Sequence, residues 1–462
     1  MTPPIYRDRL TTGMVHFGPG AFHRAHQADY VHRLLADDPR WGIAAVSLRS
    51  AATVEALRAQ QGLYTLAILD EQTSFRTIGA HSLFFGPGHG RRARQTLLDP
   101  AVRIVSTTVT EKGYCLAGDG TLDFDHPDIV RDLAAPDEPV SIVGWLALGL
   151  RDRRDSGAAP FATLCCDNMV SNGSKLGAAV RAFAERLDPE LALWIAGEAG
   201  FPDSMVDSIV PATTDALRAL VRESTGEEDS IPVSREAYSA WIVEDVLPPG
   251  GPDLAAAGVI LTGDVSGHEL AKLRILNGAH STLAYLGLLL GHETVADAMD
   301  DPRLAAFMER LVREDIVPTI LSRAEFDLDR YADDILGRFR NPVLAHELAQ
   351  IAWDGSQKLP YRLLDTIADA RSAGWRIDRL AVPVAAWMRF VQRRARSGLA
   401  IVDPLADRLS AIGRGPAEDL VDEMLAIRQI FPADLAADEG FAAALRAAVR
   451  DEPASLIGEV NA

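Results

Sequence analysis

Residues 14–26 read MVHFGPGAFHRAH: a short apolar run, two glycines one residue apart, then Phe22, His23, Arg24 and His26 crowded together. If the run is a strand and a helix starts near Ala21, Gly18 makes the tight bend after the strand. Gly20 then lets the backbone approach a pyrophosphate seated on the helix N-terminus. The third glycine of a G-x-G-x-x-G turn is missing, because position 23 is His23. Taken alone, the pattern fits a phosphate cradle and a ligand-free glycine turn equally. Arg24 is either a guanidinium placed for an anion or a solvated side chain on a first helical turn.

The neighbouring sequence decides the fold class. MVHF (14–17), GIAAVSL (42–48), LYTLAIL (63–69), VRIVSTTVT (102–110) and FATLCCDN (161–168) have strand character, and they alternate with the helical patterns 25–37, 51–62 and SKLGAAVRAFAERL. That alternation predicts an α/β, Rossmann-like domain with a mainly parallel sheet wrapped on both faces. Beyond about residue 254, Ala/Leu-rich helical patterns take over. In VLPPGGPDLAAAG (246–258), every residue from Pro248 to Pro252 is proline or glycine. The expected division is a dinucleotide-binding domain over 1–253 and a mainly α-helical substrate domain over 254–462, since 462 residues exceed what one core fills.

Composition narrows the partners. With 65 acidic against 46 basic residues, the net charge of −19 repels nucleic acid and anionic membrane surfaces. The longest apolar runs, 141–150 and 281–291, are about half the ~20 residues that span a bilayer, and MTPPIYRDRL lacks the apolar segment of a secretory signal. Of three cysteines, Cys165 and Cys166 are adjacent, which disfavours a disulfide and fits a cytoplasmic protein.

HELAKLRILNGAHSTLAYLG (268–287) carries the chemistry. At about 100° per residue, Glu269 and His280 fall within about 20° of each other, with Lys272 about 60° to one side and Asn277 about 80° to the other. Leu270, Leu273, Ile275 and Leu276 make the remainder apolar, and a lysine on a buried helix loses solvation, which lowers its pKa towards that of a general base. Glu269 and Lys272 alone read as a surface i,i+3 ion pair; Asn277, His280 and the small Gly278 beside them favour a site. Metal chemistry is not expected, because HELAK lacks the second histidine of H-E-x-x-H and the cysteines of a zinc site are absent at suitable spacing. No tyrosine is followed by lysine four residues later, so the base is not a Tyr-x-x-x-Lys pair.

Six blocks, in order, resemble the mannitol dehydrogenase family of polyol-specific long-chain dehydrogenases: GPGAFHRAHQADY, TVTEKGYC (108–115), CDNMVSNG (166–173), FPDSMVDSIVP (201–211), KLRILNGAH (272–280) and DGSQKLP (354–360). The resemblance implies a metal-independent hydride transfer between a secondary alcohol and NAD(P), with Lys272 as general base. Asn168 and Asn277 would stabilise the oxygen, His280 would position the substrate hydroxyl, Glu269 would relay protons, and Lys358 would bind substrate beside Asn168 and His280. The two-glycine turn becomes a family variant, its cofactor-binding residues being Gly18, Gly20, Ala21, Phe22, Arg24 and Arg49.

Three departures bear on specificity. Ser208 stands where the family has arginine after Asp207. Ala51 and Ala52 stand where NAD-dependent members carry acids, which keeps NAD as the family expectation and leaves NADP open, with Arg49 either receiving a 2′-phosphate or lying free on the surface. Gln350 replaces an arginine of mannitol-type members. A substrate carboxylate needs a cation, and Lys358 and Arg362 either supply it or are surface charges. The expected reaction is D-mannitol to D-fructose, or alternatively D-mannonate to D-fructuronate, by a monomer. A non-catalytic dinucleotide sensor is the reading from another class.

Overall fold

The computed structural model describes residues 1–320, 326–344 and 346–459. Chain contacts divide it into two units, Met1–Ser266 and Gly267–Ala462. The expected junction at 253/254 falls before a last short strand that belongs to the first unit.

Eleven strands lie in the first unit: β1 Thr12–Phe17, β2 Gly42–Val46, β3 Tyr64–Leu69, β4 Ser74–Ile78, β5 His81–Phe85, β6 Ile104–Thr107, β7 Ala162–Cys165, β8 Ser204–Asp207, β9 Val233–Glu236, β10 Ala240–Glu244 and β11 Ile260–Thr262. The central sheet has the order β5-β2-β1-β6-β7 and is parallel throughout. Alternation along each strand feeds two cores. Val15, Phe17, Ala44, Val46, Val105 and Cys165 enter one, and Met14, Ile43, Ala45, Ile104 and Leu164 the other. A sheet buried on both faces must be apolar on both, and this is why its strands read as continuous apolar runs.

One strand goes elsewhere. LYTLAIL forms β3, but β3 leaves the central sheet and pairs antiparallel with β4 and parallel with β9. A local pattern specifies a strand and not its partner, and β9 arrives from a distant part of the chain. A third sheet, β11-β10-β8, completes the unit.

The second unit is mostly helical. Its longest helix, Asp378–Arg396, packs against Ala279–Leu290, Ala406–Arg414 and Glu439–Arg450. Among the described residues three segments, Lys272–Gly278, Leu311–Ile316 and Pro360–Leu364, are π-helical turns. The α-helix expected through 268–287 is therefore interrupted, with Val265–Ala271 before the first π turn and Ala279–Leu290 after it. Among the described residues no helix is long and apolar enough to cross a membrane.

Candidate active site

In the first unit, β1 ends at Phe17 and the chain turns through Gly18 at φ +90°, where a Cβ would lie 2.1 Å from the Thr108 carbonyl oxygen. Only glycine takes this conformation this close to the neighbouring strand. Gly20 follows as N-cap of the helix Ala21–Ala25, and a Cβ there would meet nothing nearer than 3.9 Å. Gly18, Pro19, Gly20 and Arg49 line one hollow with Ser47, Leu48 and Thr108–Thr110, and the first turn of helix Ile142–Ser156 borders it. The Gly18 and Gly20 N–H groups donate to the Val46 and Gly18 carbonyls, and a glycine turn between parallel strand ends that leads into a helix N-terminus fits the phosphates of a dinucleotide.

Ala21, Phe22 and Arg24 do not line this hollow. Phe22 stacks on His26 at 5.0 Å between ring centroids. Arg24 is buried, donates to the Ile231 carbonyl and sits 5.6 Å from the Tyr64 ring centroid. The helix is short and turns its third and fourth residues into the core, so a guanidinium expected at an anion is spent on backbone. His23 is buried too, stacked 3.4 Å over His16 and hydrogen-bonded to His81, 3.0 Å between the Nε2 atoms. His26 is buried as well, its Nε2 bonded to the Ala240 carbonyl at 3.0 Å, so both histidines of the motif pack inwards.

Arg49 is largely exposed and pairs with Asp128 at 3.2 Å. Asp128 also belongs, with Cys115 and His126, to a group whose ligand atoms lie within 4.8 Å of one another. The Arg49 cation already answers the Asp128 carboxylate, His126 Nδ1 caps the next helix by accepting the Asp128 N–H, and burial pushes the Cys115 thiol up to about 11.

Asn168 is exposed on the loop after β7. The residue before it, Asp167, accepts from Val109 N at 2.9 Å, Thr110 N at 3.1 Å and the Tyr114 hydroxyl. Asn172 clamps the other side, bonding the Asp167 and Ser204 carbonyls and accepting from Ser204 N. Asp167 and Asn172 are positioning residues that the sequence left unassigned, although both stand in the CDNMVSNG block.

In the second unit, Glu269, Lys272 and Asn277 are half-buried and His280 is buried. In an α-helix residues five apart are rotated by about 140°. The i→i+5 bonding of a π turn stacks residues five apart instead, so Lys272 and Asn277, the first and sixth residues of their turn, come to one side. A helical wheel puts these two on a loose shared face; the π turn tightens it. His280 stacks on Phe339 at 4.7 Å and meets His346 edge-on at 4.9 Å. Burial, then His346, Arg338, Arg362 and Lys358, hold its pKa well below the ordinary range, so the ring is neutral at neutral pH. Lys358 is half-buried, its pKa lowered by burial and by Arg362, while Asp354 and Asp403 pull the other way.

The description "mannitol dehydrogenase Rossmann domain" matches residues 12–255, and "mannitol dehydrogenase C-terminal domain" matches 264–451. The chain belongs to the mannitol dehydrogenase family. The D-mannonate oxidoreductase of Escherichia coli is 40% identical, the match covering 96% of this chain and 94% of that one. A D-sorbitol dehydrogenase crystallised without substrate superposes with a TM-score of 0.91 at 29% identity, over 97% of this chain and 95% of the other. The mannitol 2-dehydrogenase of Pseudomonas fluorescens, in complex with NAD and D-mannitol, gives 0.80 at 32% identity, over 98% and 95%. As a mannitol dehydrogenase family member the chain is an oxidoreductase of polyol CH–OH groups, and its first unit is a Rossmann dinucleotide-binding domain.

Within this family frame the second unit also brings Arg338 and His346 to His280. Neither stands in a block that the sequence singled out, and no local periodicity links them to it.

Proposed function

We propose that this chain interconverts a secondary alcohol of an open-chain polyol and its ketose without a metal, D-mannitol and D-fructose being the type pair, with Lys272 as general base. The observation that carries the reading is the π turn that brings Lys272 and Asn277 to one side, with His280 just beyond it. In the oxidative direction the Lys272 amine takes the hydroxyl proton as the carbinol carbon gives up its hydride. Asn277, and by family likeness Asn168, donate hydrogen bonds to the oxygen as it gains charge. His280 orients the hydroxyl, and Glu269 passes the proton on to water. A nicotinamide dinucleotide bound at Gly18, Gly20 and the start of the Ala21 helix supplies the hydride acceptor.

NAD is the family expectation. Arg49 at the end of β2, with no acid beside it at Ala51 or Ala52, favours admission of NADP as well, at the cost of its pairing with Asp128. The same step on D-mannonate is the second reading, supported by the 40% identical relative. We take the protein as a cytoplasmic monomer, with dinucleotide binding in 1–253 and substrate binding in 254–462.

Replacing Lys272 with alanine is expected to lower kcat by about 10²- to 10⁴-fold, followed by the absorbance of reduced nicotinamide with NADH and NADPH against fructose and fructuronate. Near-normal turnover in that variant removes Lys272 as the base. Absence of turnover by the wild type with every substrate favours the sensor.

A further inference from the structure

Several buried guanidinium groups among the described residues are either paired with an acid or ringed by carbonyls, although Arg24 has only the Ile231 carbonyl. Arg235 pairs with Asp29 and Arg274 with Asp369, while Arg153 is bonded by the carbonyls of Leu97, Asp99, Val102 and Ala159. Arg362 has neither arrangement. It lies on the π turn Pro360–Leu364, half-buried, and donates from one Nη to the Ser281 hydroxyl at 3.1 Å; its Nε is buried without a partner, as are those of Arg24, Arg235 and Arg274. Among the described residues it forms no ion pair; burial lowers its pKa, while Tyr361, through its charge and a hydrogen bond, and Tyr285 pull the other way.

Two further polar groups nearby are only partly engaged. His280, next to Ser281 in the chain, has a buried Nε2 with no partner. Lys358 Nζ makes a single long contact of 3.4 Å to the Ile351 carbonyl. The acids closest to Lys358 are partly engaged, Asp403 accepting from Ser356 N, Ser356 Oγ and Leu405 N. The charged groups that bear on the His280 ring are Arg338, Arg362 and Lys358. A partly desolvated cation without an anion carries a cost, and a neutral polyol brings only hydroxyls to this cluster. A planar carboxylate matches a guanidinium and an ammonium together.

We propose that Arg362, seconded by Lys358, is a specificity-determining residue that binds a carboxylate on the substrate, so that the preferred pair is a hexonate and its keto acid rather than a hexitol and its ketose. The inference rests on the hydride transfer of the proposed function and takes its second substrate reading, D-mannonate, over its first.

The test compares D-fructuronate with D-fructose in wild type, Arg362→Gln and Arg362→Lys at saturating reduced cofactor. The wild type is expected to favour fructuronate by about 100-fold or more in kcat/KM, because an ionic pocket discriminates strongly against a ligand lacking the charge. Arg362→Gln should raise KM for fructuronate by at least about 10-fold with kcat changed less, and leave fructose within about threefold, whereas Arg362→Lys should restore part of the loss. A wild-type preference for fructose, or equal losses on both substrates in Arg362→Gln, overturns the proposal. If Arg362→Gln does not fold, calorimetric titration of D-mannonate and D-mannitol into the Lys272→Ala protein with oxidised cofactor decides. Tighter mannonate binding supports the proposal, and equal or tighter mannitol binding overturns it. This binding readout does not depend on whether Lys272 is the base, so failure of the general-base reading is told apart from failure of this one.

Discussion

At Gly18 a positive φ coincides with a carbonyl oxygen 2.1 Å from where a Cβ would stand. Gly18→Ala is therefore expected to cost about 1–3 kcal/mol of stability and to weaken dinucleotide binding, read together as a lower Tm and a smaller Tm rise on adding NADH. Beneath the turn, burial pushes His16, His26 and His81 down to about 3 and His23 well below its ordinary range. In the unfolded chain these rings bind protons near pH 6.5, so between there and about pH 3 the unfolded state holds more protons than the native one. Their neutral packing stabilises fully above about pH 6.5 and is lost as pH falls. The urea midpoint should drop steadily from about pH 6.5 to about pH 4, and replacing His81 with glutamine should flatten that slope. The motif GPGAFHRAH made the turn legible in the sequence. It did not reveal that Arg24 and the histidines face inwards, because helical spacing alone does not say which side of so short a helix meets the core.

The π turns are the elements on which the second unit's chemistry depends. Lys272–Gly278 packs against Pro360–Leu364 closely enough that a Cβ on Gly278 would lie 2.9 Å from the Arg362 carbonyl oxygen. From the same turn the buried Arg274 donates to the Thr319 carbonyl at 2.9 Å and hydroxyl at 3.0 Å, and to Asp369. One guanidinium thus ties the first π turn to the segments that follow the other two. Arg274→Met should cost about 1–3 kcal/mol by leaving the Thr319 carbonyl unpaired. It should also reduce kcat on every substrate while NADH affinity, measured by fluorescence titration, stays unchanged. If kcat is unaffected, the turn does not need this tie. A helical wheel at a fixed angle per residue has no means of showing a π turn, so the sequence placed Lys272, Asn277 and His280 on a common side but not the geometry that draws them together.

Across the whole first unit, Asp29 shows what long-range assembly adds. It is 1% exposed and meets Arg76 of β4, Arg235 of β9 at 3.0 Å and Arg33 at 3.5 Å. Burial alone would raise its pKa; the three guanidinium groups outweigh it and hold the carboxyl below the usual range. Asp29→Asn should cost about 3–5 kcal/mol, because it strands the buried Arg235 charge, and chemical denaturation measures it. An unchanged midpoint would mean that the arginines find other partners. None of this was legible beforehand, since Asp29 and Arg235 are 206 positions apart. The sequence by itself determined the α/β class, the change to helices after about residue 254, the glycine turn and the Lys-Asn-His spacing, because periodicity and turn chemistry act between near neighbours. Only the tertiary structure decided that β3 leaves the main sheet, that Arg24 is spent on backbone, that π turns set the spacing of Lys272 and Asn277, and that Arg362 is half-buried with no ion pair among the described residues. Each of these depends on what a residue meets from a remote part of the chain, and burial, which makes such meetings strong, is a property of the folded whole.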